Sequence, residues 1–112
     1  MIAGVKRAYE PPSSKDGKRV LVDRVWPRGV KKTSIDVWMK DVAPSTALRK
    51  WFGHDPAKWS DFRKRYFREL EKNPAVTELR KVASRQRVTL VYSAKDEEHN
   101  QAVALREYLK SS

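Results

Sequence analysis

The sequence predicts an α/β fold in which a small, mostly parallel three-stranded sheet is covered by helices, as one domain over residues 1–112. Short runs rich in β-branched residues at 2–7, 19–25 and 88–92 predict the three strands. More than sixty residues, mostly with helical periodicity, separate the second run from the third. Because crossover connections of that length join parallel strands, we expect the carboxyl ends of these two strands to meet at one edge of the sheet.

The connection after the first strand leaves the direction of that strand open. Residues 10–17 contain two prolines and Gly17, a composition typical of a loop. Such a connection is too long for a tight hairpin and too short for a crossover helix that packs on a sheet. After the second strand, Pro27 lacks a backbone donor and Gly29 permits a positive φ, so we expect the chain to turn there.

Two short helices are predicted next. The first runs from the N-cap candidate Ser34 to about Asp41. The second covers 45–52 and ends at Gly53, a residue that tolerates the left-handed conformation common after a helix.

A longer amphipathic helix is predicted from Asp55 to about residue 72, with Pro56 in its first turn. Its apolar stripe recurs at spacings of three and four and consists of Trp59, Phe62, Tyr66 and Leu70. Arg63 falls within the same angular range, so it either faces inward or extends along the surface. A buried charge needs a partner, and the internal candidates are Asp23 and Asp36, with an anionic ligand as the alternative.

The last two helices are separated by the third strand. Asn73-Pro74 ends the long helix and begins another, and Asp96 is expected to cap the final helix of the chain.

Composition excludes several classes of protein and of site. The chain has no Cys and only two His, which excludes disulfide scaffolds, thiolate zinc sites and cysteine nucleophiles and predicts neither a metal nor a cofactor. No apolar run has the length of a signal peptide or a membrane span, so we expect a cytoplasmic protein with no membrane partner.

The net charge of +11 raises affinity for polyanions of every kind. The excess lies in two blocks, residues 1–32 and 56–87, each with six more basic than acidic groups. The second block predicts an alternative function, a nucleic-acid-binding module that uses a basic helical surface. Because acidic residues are interleaved with the basic ones, an ordinary solvated helix surface is the competing interpretation.

Four segments carry a family resemblance: VLVDRVWPRG at 20–29, DVWMKDVAPSTALRKWFGHDP at 36–56, FRKRYFREL at 62–70 and TLVYSAKDEEHNQAVAL at 89–105. They resemble the YeaO-like family of uncharacterised bacterial proteins, which carries a domain of unknown function. The resemblance spans nearly the whole chain and implies a small cytoplasmic α/β domain with no established activity, substrate or cofactor. Broader relatives carry a Cys and a His-Arg pair after the last strand. Residues 92–101 contain neither, so thiol chemistry is absent from this chain.

Six residues that follow the second and third strands form the predicted site. In open α/β sheets ligands bind outside the carboxyl ends of the strands. The candidates are Asp23, Arg24, Trp26, Arg28, Ser93 and Lys95. We expect Arg24 or Arg28 to grip an anionic group, Ser93 to donate a hydrogen bond, and Asp23 to hold an arginine in position. An internal ion pair and a solvated turn are the structural alternatives for these charged residues.

The four tryptophans are predicted to lie in two different places. Trp38, Trp51 and Trp59 are predicted to lie in the core, and Trp26 at the rim of the site.

The leading functional hypothesis is therefore a cytoplasmic domain that binds a small anionic ligand, with phosphate-bearing molecules among the candidates, at the carboxyl-terminal edge of its sheet. The alternatives are the nucleic-acid-binding module and a regulatory or interaction domain without a small ligand. The residues decide neither whether the protein is an enzyme nor its oligomeric state.

Overall fold

A parallel four-stranded sheet forms the centre of the computed structural model, which describes residues 1–111. Its strands are β1 (Ile2–Arg7), β2 (Lys18–Leu21), β3 (Val37–Trp38) and β4 (Val88–Tyr92), in the spatial order β1-β4-β2-β3. The α-helices of the described part are α1 (Thr46–Phe52), α2 (Trp59–Glu71), α3 (Ala75–Arg85) and α4 (Gln101–Ser111). The predicted α/β class is therefore confirmed. Ser112, which the predicted domain includes, lies outside the described residues.

β4 is the central strand, and it is buried at all five positions. Its run of β-branched and aromatic residues suits a strand covered on both faces. β2 pairs with it in parallel, with Val20 opposite Leu90, which confirms the predicted direction. β1 pairs with the other side of β4, also in parallel, with Val5 opposite Leu90. The carboxyl ends of β1, β2 and β4 thus lie at the same edge.

The sheet has four strands because residues 34–41, predicted as a short helix, add the strand β3. That prediction is wrong, and so is the placement of Trp38 in the core, because Trp38 is exposed. The open edge of β2 supplies the backbone groups that extend this segment: the amides of Asp36 and Met39 donate to the carbonyls of Arg19 and Leu21, each at 2.9 Å. Tertiary pairing thus overrides the local helical pattern.

The second strand is shorter than predicted. β2 ends at Leu21, although the amide of Val22 still donates to the carbonyl of Val91 at 3.0 Å. Residues 23–25, predicted as its end, leave the ladder and lead into the loop beside the candidate site.

Each α-helix contributes apolar side chains to a core on one face of the sheet. From α2 these include Phe62, Tyr66 and Leu70, as the stripe predicts, whereas Trp59 is only half-buried. The ring of Phe62 lies 4.3 Å from that of Phe52, centroid to centroid. Ser45 begins α1 by accepting a hydrogen bond from the amide of Leu48, and α1 ends at a glycine with φ of 53°.

Two predictions about helices are wrong. Arg63 pairs with neither Asp23 nor Asp36; its guanidinium donates to the carboxylate of Glu107 on α4, because the outer part of α2 packs beside that helix. The final helix is capped by Asn100, whose Oδ1 accepts from the amide of Val103 at 3.0 Å.

Asp96 lies one turn earlier than that cap. Its Oδ1 accepts from the amides of Glu98 and His99, so it stabilises the loop before α4. Because Asp stabilises turns as well as helix starts, the sequence pattern placed the cap of the final helix at Asp96 instead of Asn100.

The opposite face of the sheet is covered by loops. Leu21 and Val91 face this side and form a small apolar cluster with Ala8. Trp26, Val30 and Ile35 pack against this cluster from the connection that follows β2.

A buried ionic network holds the loop between β1 and β2 on this face. Asp16 and Arg19 are 5% and 3% exposed, and Arg19 Nη1 donates to Asp16 Oδ2 at 2.8 Å. Lys6 Nζ and the amide of Ser13 bind the same carboxylate at 3.1 and 3.0 Å. Burial alone would raise the pKa of Asp16, but these partners hold the pKa below its usual value.

Candidate functional site

A cleft of about 570 Å³ opens at the carboxyl ends of β2 and β4, and we call it the edge cleft. One side is formed by the loops that follow these two strands, and the other by the segment 43–54, which contains α1. Its polar lining comes from Asp23, Arg24, Arg49, His54, Ser93, Lys95, Asp96 and Gln101. The predicted edge of the sheet is therefore concave, as expected of the ligand-binding end of an open α/β sheet.

Asp23 forms the most buried polar part of the edge cleft. Its Oδ2 accepts from the amide of Ser93 at 3.0 Å and from the Ser93 hydroxyl at 2.5 Å, and its Oδ1 accepts from Gln101 Nε2. Burial raises the pKa of Asp23, and the bonds from Ser93 and Gln101 and the charge of Arg49 offset that rise only in part. The group therefore ties β2, β4 and α4 together at the cleft.

Arg24 is fixed by backbone oxygens. Its Nε donates to the carbonyl of Pro44 at 3.2 Å and its Nη2 to that of Ala43 at 3.1 Å. Within residues 1–111, Nη1 makes no hydrogen bond, so one side of the guanidinium is left for a ligand. A guanidinium that is already ordered loses less conformational entropy when it binds an anion.

Two more cations lie at the mouth of the edge cleft. Arg49 and Lys95 are exposed, and within residues 1–111 neither side chain forms an ion pair or a hydrogen bond. Asp96 also lines the cleft, but its Oδ2 lies 2.9 Å from His99 Nδ1. Hydrogen bonds from the amide of Glu98 and from the His99 side chain lower the pKa of Asp96.

The remaining wall of the edge cleft is apolar and aromatic. It includes Phe52 and Phe62 of the core, together with Val25, which is exposed. His54 stands beside this wall with its ring 6.3 Å from that of Phe52, and its φ of 58° is a left-handed conformation unusual for a residue other than glycine. Ligand pockets combine such apolar surface with a few converging polar groups.

The structure brings four of the six predicted site residues together. Asp23, Arg24, Ser93 and Lys95 line the edge cleft. Trp26 and Arg28 lie outside its lining: the Trp26 indole donates to the carbonyl of Val30 at 3.0 Å, and the Arg28 side chain is exposed.

The local roles of two predicted residues also differ from the sequence interpretation. Asp23 holds Ser93 and Gln101 by hydrogen bonds, and Arg24 is held by carbonyl oxygens instead of by Asp23. The Ser93 hydroxyl donates to Asp23. The reason is topological: alternation sends adjacent side chains in different directions, and β4 places Ser93 directly beside Asp23.

Four polar lining residues were not among the predicted site residues: Arg49, His54, Gln101, and Asp96, which was predicted only as a helix cap. Arg49 and His54 come from α1 and the turn after it, whose position relative to the sheet has no local sequence signal. Gln101 could have been inferred only from the correct start of α4, because the first turn of that helix faces Asp23.

The described part of the chain brings together no group of three or more His, Asp or Glu side chains that could hold a metal ion. Among the helices of residues 1–111, none combines the length and apolar character needed to cross a membrane.

Comparison with known proteins identifies the family. The family model described as "Inactive DUF488-N3 subclade" (DUF488-N3i) matches residues 2–112. The chain is 43% identical over 109 residues to "Uncharacterized protein YeaO" of Escherichia coli (strain K12), which covers 95% of each chain. It is 42% identical over 107 residues to "Uncharacterized protein Rv3073c" of Mycobacterium tuberculosis (strain H37Rv), covering 94% of this chain and 91% of the relative. No solved structure matches significantly. Because the family model and the similarity to these relatives both extend over nearly its whole length, the chain belongs to this DUF488-N3i family of YeaO-like proteins.

Proposed function

We propose that the protein binds a small anionic ligand in the edge cleft and does not transform it. The observation that carries this proposal is the set of three cationic side chains at the cleft, Arg24, Arg49 and Lys95, none of which forms an ion pair within residues 1–111. Cations that converge on a concave, partly apolar surface provide charge-assisted hydrogen bonds to a phosphate, sulfate or carboxylate.

The carboxylates of the edge cleft reduce its positive charge without reversing it. Asp96 is paired with His99, and Asp23 accepts hydrogen bonds from Ser93 and Gln101. The raised pKa of Asp23 lowers the energetic cost of protonating it when an anion approaches. The ligand that fits best therefore has an anionic group for the lining cations Arg24, Arg49 and Lys95 and an apolar part for the lining phenylalanines.

Binding without turnover is favoured by the hydrogen bonds of Ser93. A serine nucleophile requires a base that accepts its proton, and such a base is most often an imidazole or an amine. The Ser93 hydroxyl instead donates to Asp23, and within residues 1–111 it has no imidazole or amine partner. The word "Inactive" in the family description supports the same conclusion. A cytoplasmic location stays a prediction from the sequence.

An NMR titration with sodium sulfate tests the proposal. We expect the backbone amides of Arg24, Ser93 and Lys95 to shift together and to saturate with one dissociation constant. Because Arg49 and Lys95 are exposed, Arg49→Gln and Lys95→Gln should each weaken binding several-fold without altering the fold. Lys64→Gln is the matched control, since Lys64 is an exposed cation of α2 outside the cleft lining.

The proposal fails if the shifts are spread over the whole basic surface, or if Lys64→Gln weakens sulfate binding as much as Lys95→Gln does. Either result would mean that net charge, and not the edge cleft, attracts the anion.

The outer face of α2 supports a second candidate function, sequence-independent attraction of nucleic acid. Lys64, Arg65 and Arg68 are exposed on this face and form no ion pair within residues 1–111. Neutralised phosphates release counterions, so the affinity should fall steeply as salt rises. Reversing charge with Arg65→Glu and Arg68→Glu should remove this binding at physiological salt; unchanged retardation of RNA and DNA would contradict it.

A further inference from the structure

Exposed apolar side chains are concentrated beside the edge cleft. The large hydrophobic residues exposed in residues 1–111 are Met1, Tyr9, Val25 and Trp38. Three of them, at 49%, 60% and 41% exposure, come from the carboxyl edge of the sheet or the loops that follow it. Apolar surface exposed next to a binding cleft marks a contact surface more often than isolated apolar residues do. We call Val25, Trp26 and Trp38 the tryptophan ledge.

The two indole rings of the tryptophan ledge are held in place by their polar atoms. Trp38 Nε1 donates to the carbonyl of Asp23 at 2.7 Å, and Trp26 Nε1 donates to the carbonyl of Val30 at 3.0 Å. The rings meet edge to face with centroids 5.5 Å apart. Since both N–H groups are already satisfied, the exposed surface of Trp38 is available for stacking and not for hydrogen bonding.

The tryptophan ledge is continuous with the edge cleft. The bond from Trp38 reaches the backbone of Asp23, the residue that forms the buried polar part of the cleft. Val25 lines the cleft, and the next residue is Trp26 of the ledge. The hydrogen bond to Asp23 and the chain from Val25 to Trp26 thus connect the Trp38 ring to the wall of the edge cleft.

Cations accompany the aromatic rings. Lys40 Nζ lies 5.5 Å from the centroid of the Trp38 ring. Arg28 is exposed on the loop that carries Trp26, and its carbonyl accepts from the Tyr9 hydroxyl at 2.9 Å. Within residues 1–111, neither Arg28 nor Lys40 forms an ion pair. The surface thus alternates aromatic rings with cations that are not neutralised.

From this arrangement we infer that the anionic ligand of the edge cleft is a single-stranded nucleic acid, with a phosphate at the cleft cations and a base stacked on Trp38. This inference rests on the proposed anion binding in the cleft. Proteins that hold single strands combine aromatic stacking surfaces with a positively charged path for the backbone. A base paired within a duplex keeps its faces against its neighbours and offers none to Trp38, so single strands are preferred over duplexes.

The test measures fluorescence anisotropy of labelled oligo(U) and oligo(dT) of eight nucleotides, and of a duplex of equal length, at physiological salt. Loss of one base stack should weaken single-strand binding about tenfold in Trp38→Leu. Lys40→Glu, an exposed change that leaves the ring in place, should weaken it as well. Trp51→Leu is the control, because the half-buried Trp51 ring also lies beside cations, with Arg65 4.1 Å from its centroid, but is outside the tryptophan ledge and the cleft lining.

A sulfate titration of the same variants separates this inference from the proposed function. We expect Trp38→Leu to bind sulfate as the natural protein does, since its ring does not line the cleft. If sulfate binds in the cleft but oligonucleotides bind no better than the duplex, or Trp38→Leu and Lys40→Glu keep full affinity, the inference is wrong and the proposed function stands. If sulfate does not bind in the cleft, the proposed function fails, and any single-strand binding would then have to come from another surface. Binding of an unstructured acidic peptide with equal affinity and equal sensitivity to Trp38→Leu would also overturn the inference in favour of a protein partner.

Discussion

Replacing Asp16 by Asn should lower the free energy of unfolding much more than breaking an exposed ion pair does. The substitution keeps the volume of the side chain and removes its charge. Arg19, which is 3% exposed, then loses its counter-charge, whereas Lys6 is 23% exposed at its side chain and regains water. Only one of the two cations is therefore left buried without a charge partner.

The expected loss in free energy of unfolding depends on Arg19, the cation that stays buried. Removing one partner of a buried pair costs about 3 to 5 kcal/mol. Arg19 still donates to the carbonyls of Ser34 and Glu10, at 2.6 and 3.0 Å, so we expect the lower end, about 3 kcal/mol. With a urea m-value of about 1.5 kcal/mol/M, the midpoint of unfolding should fall by about 2 M. Tryptophan fluorescence and circular dichroism would follow the transition.

Glu78→Gln provides the matched control. It makes the same type of change, from acid to amide, in the exposed pair that Glu78 forms with Lys81 at 3.6 Å. An exposed pair contributes about 0 to 1 kcal/mol, so the control should barely move the midpoint. Equal losses for Asp16→Asn and Glu78→Gln would refute the assignment of a buried ionic network.

The contribution of Asp16 to stability should decrease in acidic solution. The folded pKa of Asp16 is lower than its ordinary value of 3.8, so the unfolded chain binds the proton more readily. The stability that the carboxylate contributes is therefore fully present above the unfolded pKa and is lost as the pH falls through the folded pKa. The difference in free energy of unfolding between the natural protein and Asp16→Asn should stay constant above about pH 5 and shrink in more acidic solution.

Three further predictions concern packing, a turn and the edge cleft. Phe62→Ala should lower the free energy of unfolding by about 3 to 5 kcal/mol, because Phe62 is 1% exposed. Lys64→Ala, on the outer face of α2, should change it by no more than about 0.5 kcal/mol. Urea denaturation compares the two variants, and similar losses would contradict the orientation of the helix. Gly17→Ala should lower the free energy of unfolding by about 2 kcal/mol or more, because Gly17 has φ of 64° and a Cβ would collide with the carbonyl oxygen of Arg87. An unchanged thermal midpoint would show that the turn adjusts without strain. Sulfate affinity, measured by titration calorimetry, should rise as the pH falls toward the raised pKa of Asp23, because protonation removes a negative charge from the cleft. In a background with both histidines replaced, His54→Gln and His99→Gln, Asp23→Asn should abolish this dependence, and its persistence would exclude Asp23 as the cause.

Local sequence was sufficient where local chemistry decides the structure. The run at 88–92 has the β-branched and aromatic composition of a buried strand, and all of it is buried. The helix starts predicted at residue 45 and at Asp55 match positions where a short polar side chain accepts from an amide two or three residues later. Asp23 and Ser93 were found because they follow buried strands.

The rest depends on contacts that the local pattern does not contain. β3 is only two residues long and exists because β2 has an open edge beside it, so no window of the sequence could identify it. Arg49 and His54 enter the edge cleft through the position of α1 against the sheet. The burial of Arg19 was missed for a related reason, since its partner Asp16 lies in a segment predicted as a loop.

The central position of β4 has a consequence for synthesis on the ribosome. β1 and β2 both pair with β4 and not with each other, yet 66 residues separate Leu21 from Val88. At about 5 to 20 residues per second, translation needs roughly 3 to 13 s to add them. During that interval the nascent chain carries two strands without their common partner, and β2 has only the two-residue β3 to pair with. The sheet therefore forms as a late event, when β4 enters between strands that left the ribosome long before, and a nascent chain halted before residue 88 presents both as open edges for chaperones to cover.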